Sequence, residues 1–241
     1  VYFAQVAESL RGRSQPVRPA ESERSAADPV TGLLAALCRW HDGRKAAVSF
    51  QFDDGRADHL TVVPLLLREY GLKGTFLINP GRSGFRLQAH QWAALAADHE
   101  LGNHTLHHSG AANDGEAEAE VGEAARAIWA LQPGRSKLLS FCNAGGTTWT
   151  FSAPWSQFVE KHHQIESPTL LSMADKYGDI VIRYRETLAK MIADGGWMRS
   201  HYHSVGTGGL NISEEHLRAA FEMTKQGVAS GDLWNAGMAE I

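Results

Sequence analysis

Two short runs in the chain carry side chains from which a hydrolytic site could be built. Asp53-Asp54-Gly55 ends an apolar stretch, and His104-Thr105-Leu106-His107-His108 begins fifty positions after Asp54. One acidic pair and two histidines four apart supply three metal ligands and a spare carboxylate, the minimum set for a hydrolase that activates water with a metal ion. Each piece alone is weak. Asp-Asp-Gly is a common turn sequence, and the chain has 12 histidines, His99, His107, His162 and His163 among them. Together, each just past a predicted strand, they describe one site. Adjacent strand residues point to opposite sides, so one aspartate can bind a metal while its neighbour faces the attacking water. His104 and His108 share a face if they lie on a helical turn.

A third element is His203, at the end of the predicted strand Trp197–His203 and before Ser204-Val205-Gly206. A histidine there could give a proton to a leaving amine or alkoxide. His201, two positions earlier, faces the same side and is the rival; His203 is preferred because it is nearer the loop.

The elements that must position these residues alternate in type. Ala46–Phe52 reads as a strand, Leu60–Tyr70 as a helix stopped by Gly71, Lys73–Ile78 as a strand, Leu87–Ala97 as a helix and Glu100–Asn103 as a short strand. A helix over Glu116–Leu131 closed by Pro133-Gly134, a strand over Lys137–Cys142, a helix over Ile180–Ala193 and the strand ending in His203 follow. Ser213 is placed to cap a helix running to Val228, and Leu233–Ile241 reads as a last strand. Residues 149–176 read as irregular, and a short helix is expected at Pro29–Trp40. Such alternation predicts an α/β fold with a parallel sheet and outer helices, open or closed into a barrel. Asp53, Asp54, His104, the Asn143 loop and His203 then share the C-terminal rim of the strands, where such folds place their sites.

At 241 residues and 43% hydrophobic content the chain can bury a real core. The net charge of -4 and the lack of a basic stripe argue against nucleic acid or anionic membrane as partner. No apolar run is long enough for a membrane span. The two cysteines, Cys38 and Cys142, do not form a CxxC and are expected to be core thiols. Residues 1–40 read as an N-terminal extension and 41–241 as the catalytic domain. The start at Val1 fits a processed protein that has lost an export signal.

The set Phe52-Asp53-Asp54-Gly55, Gly102-Asn103-His104-Thr105-Leu106-His107-His108 and His203-Ser204-Val205-Gly206 resembles the polysaccharide deacetylases, the NodB-homology carbohydrate esterase family 4, over Lys45 to Ile241. Lys73-Gly74-Thr75-Phe76-Leu77-Ile78 is similar to that family's second strand. The resemblance implies a distorted (β/α) barrel of about seven parallel strands with outer helices. It implies Asp53 as general base, His203 as general acid, and Asp54, His104 and His108 as ligands of a divalent metal, commonly Zn2+, with Co2+, Mn2+ or Ni2+ as alternatives. Thr105 would help position the metal site. The substrate would be an acetylated carbohydrate, with a backbone N–H near Asn143 helping to stabilise the oxyanion, and the protein would be secreted or periplasmic.

Two departures qualify that picture. The family's third motif carries an arginine that orients the base, whereas this chain has Phe141-Cys142-Asn143-Ala144-Gly145-Gly146; Asn143 is the substitute donor expected here. Residues 149–176 also differ from the family's substrate groove. Asn143, Trp149 and Trp197 are the candidate substrate contacts, although Trp149, Trp155 and Phe158 suit packing as well as sugar stacking. The alternatives are a hydrolase of a non-sugar amide or ester using the same site, a metal-free ring-amide hydrolase resembling the allantoinase-like branch, and a carbohydrate-binding barrel without turnover.

Overall fold

The computed structural model describes residues 39–166 and 171–241. The strands are β1 (Ala46–Asp53), β2 (Thr75–Ile78), β3 (Glu100–Asn103), β4 (Leu139–Phe141), β5 (Gln164–Glu166), β6 (Leu171–Ser172), β7 (Trp197–Tyr202), β8 (Ser204–Val205), β9 (Asn211–Ile212) and β10 (Leu233–Asn235). The helices are α1 (Asp58–Thr61), α2 (Val63–Tyr70), α3 (Phe85–Leu95), α4 (Asp114–Leu131), α5 (Trp155–Lys161), α6 (Ile180–Asp194) and α7 (Glu214–Ala229). All pairings in the main sheet are parallel, in the order β5-β4-β3-β2-β1-β7-β6 with β10 also on β1.

Chain length alone forces this sheet to curl. Laid flat, the six steps from β5 to β6 would span roughly 29 Å at about 4.8 Å each. Yet β5 ends at Glu166 and β6 starts at Leu171, and five residues reach at most about 18 Å. The result is a curled half-barrel ringed by helices.

β1 is the central strand; all of its residues are buried, and Asp53 is its one charged residue. Its even positions face the helices: Phe50 meets Phe221 of α7 edge-on at 4.7 Å, and Phe52 stacks between Phe76 at 5.2 Å and Tyr202 at 5.3 Å. Its odd positions, Ser49, Gln51 and Asp53, therefore face the barrel interior by the two-residue period. On β7 the same alternation leaves Met198 and Tyr202 buried among the helices and turns Trp197, Arg199 and His201 inward. One edge of β1 is shared: Ala46–Val48 pair with β10 and Gln51–Asp53 with β2.

The base of the barrel is closed by Glu100. Its carboxylate accepts from Thr75 Oγ1 at 3.0 Å, Ser140 Oγ at 2.5 Å and the Ala239 N–H at 3.0 Å. Burial raises this carboxyl group and the hydrogen bonds oppose the rise. These contacts explain why the last strand is three residues long instead of running over Leu233–Ile241: the chain turns inward after Asn235 to meet Glu100. Gly237 permits the approach, since a Cβ there would lie 2.5 Å from Glu100 Oε2.

Residues 149–176 contain α5, β5 and β6, where no regular element was expected. Ser213 does cap α7, accepting from His216 N–H at 3.3 Å, and Gly71 ends α2 in a left-handed conformation. The helix expected at Pro29–Trp40 lies outside the described residues except for Arg39 and Trp40, which form a bend. No helix among the described residues is long and apolar enough to cross a membrane.

His99 makes the fold acid-sensitive. It is 8% exposed, and its Nδ1 accepts the Gly74 N–H at 3.4 Å. Burial, helped by the charge of Lys73, pulls its pKa down to about 4. Its ordinary value is about 6.5, so below that pH the unfolded chain takes up a proton that the folded chain refuses. The stabilisation is complete above about pH 6.5 and is lost as pH falls toward the folded value, at no more than ~1.4 kcal/mol per pH unit. Urea unfolding between pH 7 and 4.5 should show a shallower loss of stability for His99→Gln than for wild type. Equal slopes would mean that folded His99 protonates normally.

Candidate active site

At the C-terminal end of β1 two adjacent carboxylates are sent to different places. Asp53 follows the strand alternation into the barrel and is 3% exposed. Gln51, two positions earlier on the same face, donates from Nε2 to both of its oxygens, at 2.8 Å to Oδ1 and 3.0 Å to Oδ2. This is the group that orients Asp53. Asn143 is half-buried, and among the described residues its side chain makes no hydrogen bond to Asp53. Cys142, a free thiol, lies beside the pair; burial and then the charge of Asp53 push it far above the usual thiol range, so it is a neutral neighbour.

Asp54 leaves the alternation through a left-handed backbone, φ +80°. Its buried Oδ1 has no hydrogen-bond partner but faces Nε2 of His108 at 3.3 Å and Nε2 of His104 at 3.6 Å. The three donor atoms lie within 4.8 Å of one another. Burial would raise the Asp54 carboxyl, but the adjacent His108 imidazole and the charges of His104 and His203 hold it well below the usual carboxylate range. His104 Nδ1 is bonded to the Cys142 carbonyl at 2.9 Å. A carbonyl only accepts, so Nδ1 carries the proton and Nε2 presents its lone pair. One carboxylate and two imidazole nitrogens, converging on an orphaned buried oxygen, fit a divalent cation.

The histidine run is a loop, not a turn of helix. His104 follows β3 directly, and Thr105 and His108 have φ +71° and +62°. Of the five non-glycine residues with positive φ among the described residues, Asp54, Thr105 and His108 are three. Each such residue costs on the order of 1–3 kcal/mol and persists only where its surroundings over-determine it. The surroundings here are specific. Asn79 Nδ2 donates to the His104 carbonyl at 2.5 Å and the Thr105 carbonyl at 3.0 Å. Asn103 Oδ1 accepts the Thr105 N–H at 2.7 Å, and Thr105 Oγ1 accepts the His108 N–H at 3.2 Å. Glu120 of α4 binds both the backbone N–H and Nδ1 of His107, at 2.9 Å and 2.7 Å. Asn79 and Glu120 were not singled out by sequence; the first sits at the rim after β2, the only hint available.

His201 and His203 both reach Asp53, with one ring nitrogen of each within 4.8 Å of a carboxylate oxygen. Burial lowers both imidazoles and Asp53 opposes the change. The backbone of His203 is clamped from α1. His59, fully buried between Phe52 and Phe76, accepts the Arg56 N–H at Nδ1 and so donates from Nε2 to the His203 carbonyl. Asp58 Oδ2 accepts the Val205 N–H at 2.5 Å.

The two aromatic candidates are placed differently. Trp197 is at the opposite end of β7, with Nε1 donating to Ser49 Oγ at 3.2 Å and Arg199 over its ring at 4.6 Å. Trp149 packs against Trp155 and Phe151 in a satellite core that includes Phe141 and Phe158, and its Nε1 donates to the Ala144 carbonyl at 3.3 Å.

The family profile "Polysaccharide deacetylase" matches residues 41–167. This stretch holds Asp53, Asp54, His104 and His108; His201 and His203 lie beyond it. No curated protein sequence matches the chain significantly. Among solved structures, the chain is similar to a family 4 acetyl xylan esterase from Clostridium thermocellum in complex with a cobalt ion, at 18% identity and a TM-score of 0.55 over 80% of this chain and 89% of that one. It is similar to the peptidoglycan deacetylase PdaC from Bacillus subtilis, at 15% identity and a TM-score of 0.51 over 81% and 89%. It is also similar to BA3943, a CE4 family pseudoenzyme from Bacillus anthracis, at 15% identity and a TM-score of 0.54 over 86% and 68%. The profile match over more than half of the sequence, on a fold these structures share, establishes that the chain belongs to the polysaccharide deacetylases, the NodB-homology carbohydrate esterase family 4.

Proposed function

We propose that the protein is a metal-dependent hydrolase that removes an acetyl group from a carbohydrate amide or ester outside the cytoplasm. The observation that carries this reading is the separation of duties at one rim: Asp54, His104 and His108 converge on a common point, while Asp53 is held apart by Gln51 and faces His203. A site for binding alone needs no such second carboxylate.

Asp54, His104 and His108 would hold the divalent cation, Zn2+ being the best match to two imidazoles and one carboxylate. Such an ion supplies Lewis acidity toward the acyl oxygen and lowers the pKa of water. The chain's own residues do the rest. Asp53, with both oxygens steadied by Gln51, accepts a proton from the attacking water. The strained loop from His104 to His108 keeps both imidazoles aimed before substrate arrives, so no reorganisation is needed during the reaction. His203 donates a proton to the leaving nitrogen as the C–N bond breaks. An amine leaves poorly without that proton, so the requirement is stricter for an amide than for an ester.

Asp54→Ala and His104→Ala should each lose bound metal and activity together, read by elemental analysis beside turnover of an N-acetylated chito-oligosaccharide. Retained metal in both variants would remove the ligand assignment.

Asp53→Asn should keep its metal and lose turnover by about 10²–10⁴-fold. Gln51→Leu should keep its metal and lose about 10–100-fold in kcat with little change in KM. Because Gln51 acts through Asp53, adding Gln51→Leu to Asp53→Asn should cost nothing further. An equal additional loss in the double variant would assign Gln51 to folding instead.

His203→Ala should damage amide hydrolysis by about 10²-fold or more and hydrolysis of an activated aryl ester much less. If His201→Ala shows that pattern and His203→Ala does not, the acid is His201.

A further inference from the structure

Beside the convergent donors lies an open cleft of about 370 Å3, bordered by the loops after β1 and β2 and by the segment after His203. Three features of its lining are not used by the chemistry above. The first is a pair of guanidinium groups, Arg56 and Arg82, both exposed. Arg82 makes no ion pair among the described residues, although its charge is felt at His108. Arg56 has one acidic contact, Asp54 Oδ2 at 3.5 Å, which is long for a charged hydrogen bond. The second is Asn79. It is 2% exposed and lines the cleft, and its Oδ1 is a buried acceptor with no partner while its Nδ2 is committed to two carbonyls. The third is Phe85, half-buried and lying parallel to Trp92 with ring centroids 6.5 Å apart.

A cleft lined by an orphaned acceptor and an aromatic ring suits a polyhydroxylated ring, which offers O–H donors at its edge and C–H groups on its face. Two guanidiniums suit an anion. The acids that line the cleft are already engaged: Asp54 faces the two histidines, and Asp58 accepts the Val205 N–H. A neutral acetylated sugar would leave Arg82 unanswered and Arg56 with only its long contact to Asp54, whereas a carboxylate or sulfate ester on a neighbouring ring would receive planar, bidentate donation.

We infer that the natural substrate is an anionic acylated glycan, its carboxylate or sulfate groups held by Arg56 and Arg82 in this cleft. The inference rests on the deacetylase reading for its chemistry but not for its binding. Three N-acetylated oligosaccharides of matched length are therefore compared on the metal-loaded enzyme: a neutral one, one alternating with uronate, and a sulfated one. At low ionic strength at least one anionic substrate should exceed the neutral one in kcat/KM by about tenfold or more, and added salt should shrink the ratio. The favoured anionic substrate identifies the group recognised. Arg82→Gln and Arg56→Gln should each lower the anionic-to-neutral ratio by about tenfold, chiefly through KM.

Calorimetric titration with the deacetylated uronate and sulfated oligosaccharides reads the same site without turnover. Binding of one of them that weakens in Arg82→Gln supports the inference even if no substrate is hydrolysed, in which case only the deacetylase reading fails. Equal handling of neutral and anionic substrates, or absence of binding by either anionic oligosaccharide, overturns it.

Discussion

The site depends on one backbone conformation, the left-handed φ of +80° at Asp54. Strict strand alternation would send Asp54 outward, into the layer where Phe50 and Phe52 pack against aromatic rings. A carboxylate there would be buried without a partner, at a cost of several kcal/mol. Reversing the chain at this residue instead brings two consecutive carboxylates to the same rim with different surroundings. Asp53 meets an amide, and Asp54 meets two imidazoles. Gly55, also at positive φ, continues the turn. The two acids can then hold different roles although nothing but one peptide unit separates them.

The same constraint shapes the opposite wall. Thr105 and His108 also occupy left-handed conformations, and the groups that hold the loop from His104 to His108 come from three separate elements: Asn79 after β2, Asn103 in β3 and, on His107, Glu120 in α4. Most of these contacts are to backbone N–H and C=O groups, not to the imidazoles. The fold thus fixes where the histidines can point without consuming the nitrogens that a metal would need. Of the ring nitrogens of His104 and His108, only His104 Nδ1 is spent, on the Cys142 carbonyl, and spending it sets the tautomer. His203 is treated likewise. His59 and Asp58 grip the main chain around it and leave its ring free.

Much of this was legible in the sequence, and the limits have physical causes. Strand and helix alternated clearly enough to give a parallel sheet, and the chemically active residues fell at strand ends because each followed an apolar run. β5 and β6 were missed because strands of three and two residues carry too few positions to show a period, and Gln164 of β5 is turned toward Asn103 by a hydrogen bond instead of presenting an apolar face. The left-handed residues were illegible since none is glycine. Gln51 was overlooked although its spacing from Asp53 placed both on one strand face; a glutamine in an apolar strand reads as an exception until its partner is known. Trp197 was attractive as a sugar contact by residue type alone, and type does not say that it begins its strand, at the far end from the histidines.

Replacing an arginine by Gln51 changes more than geometry. A guanidinium would orient the base and also stabilise its ionised form through a full opposite charge. An amide donor holds the same two oxygens with a dipole only. No cation among the described residues bonds to Asp53, whereas two, Arg56 and Arg82, line the cleft where the proposed substrate would lie. On the proposed reading, cations on the cleft wall instead of beside the carboxylate would keep the reaction and change what is drawn to it. On the same reading, the bidentate support under a second carboxylate has a use that a barrel serving for binding alone would lack.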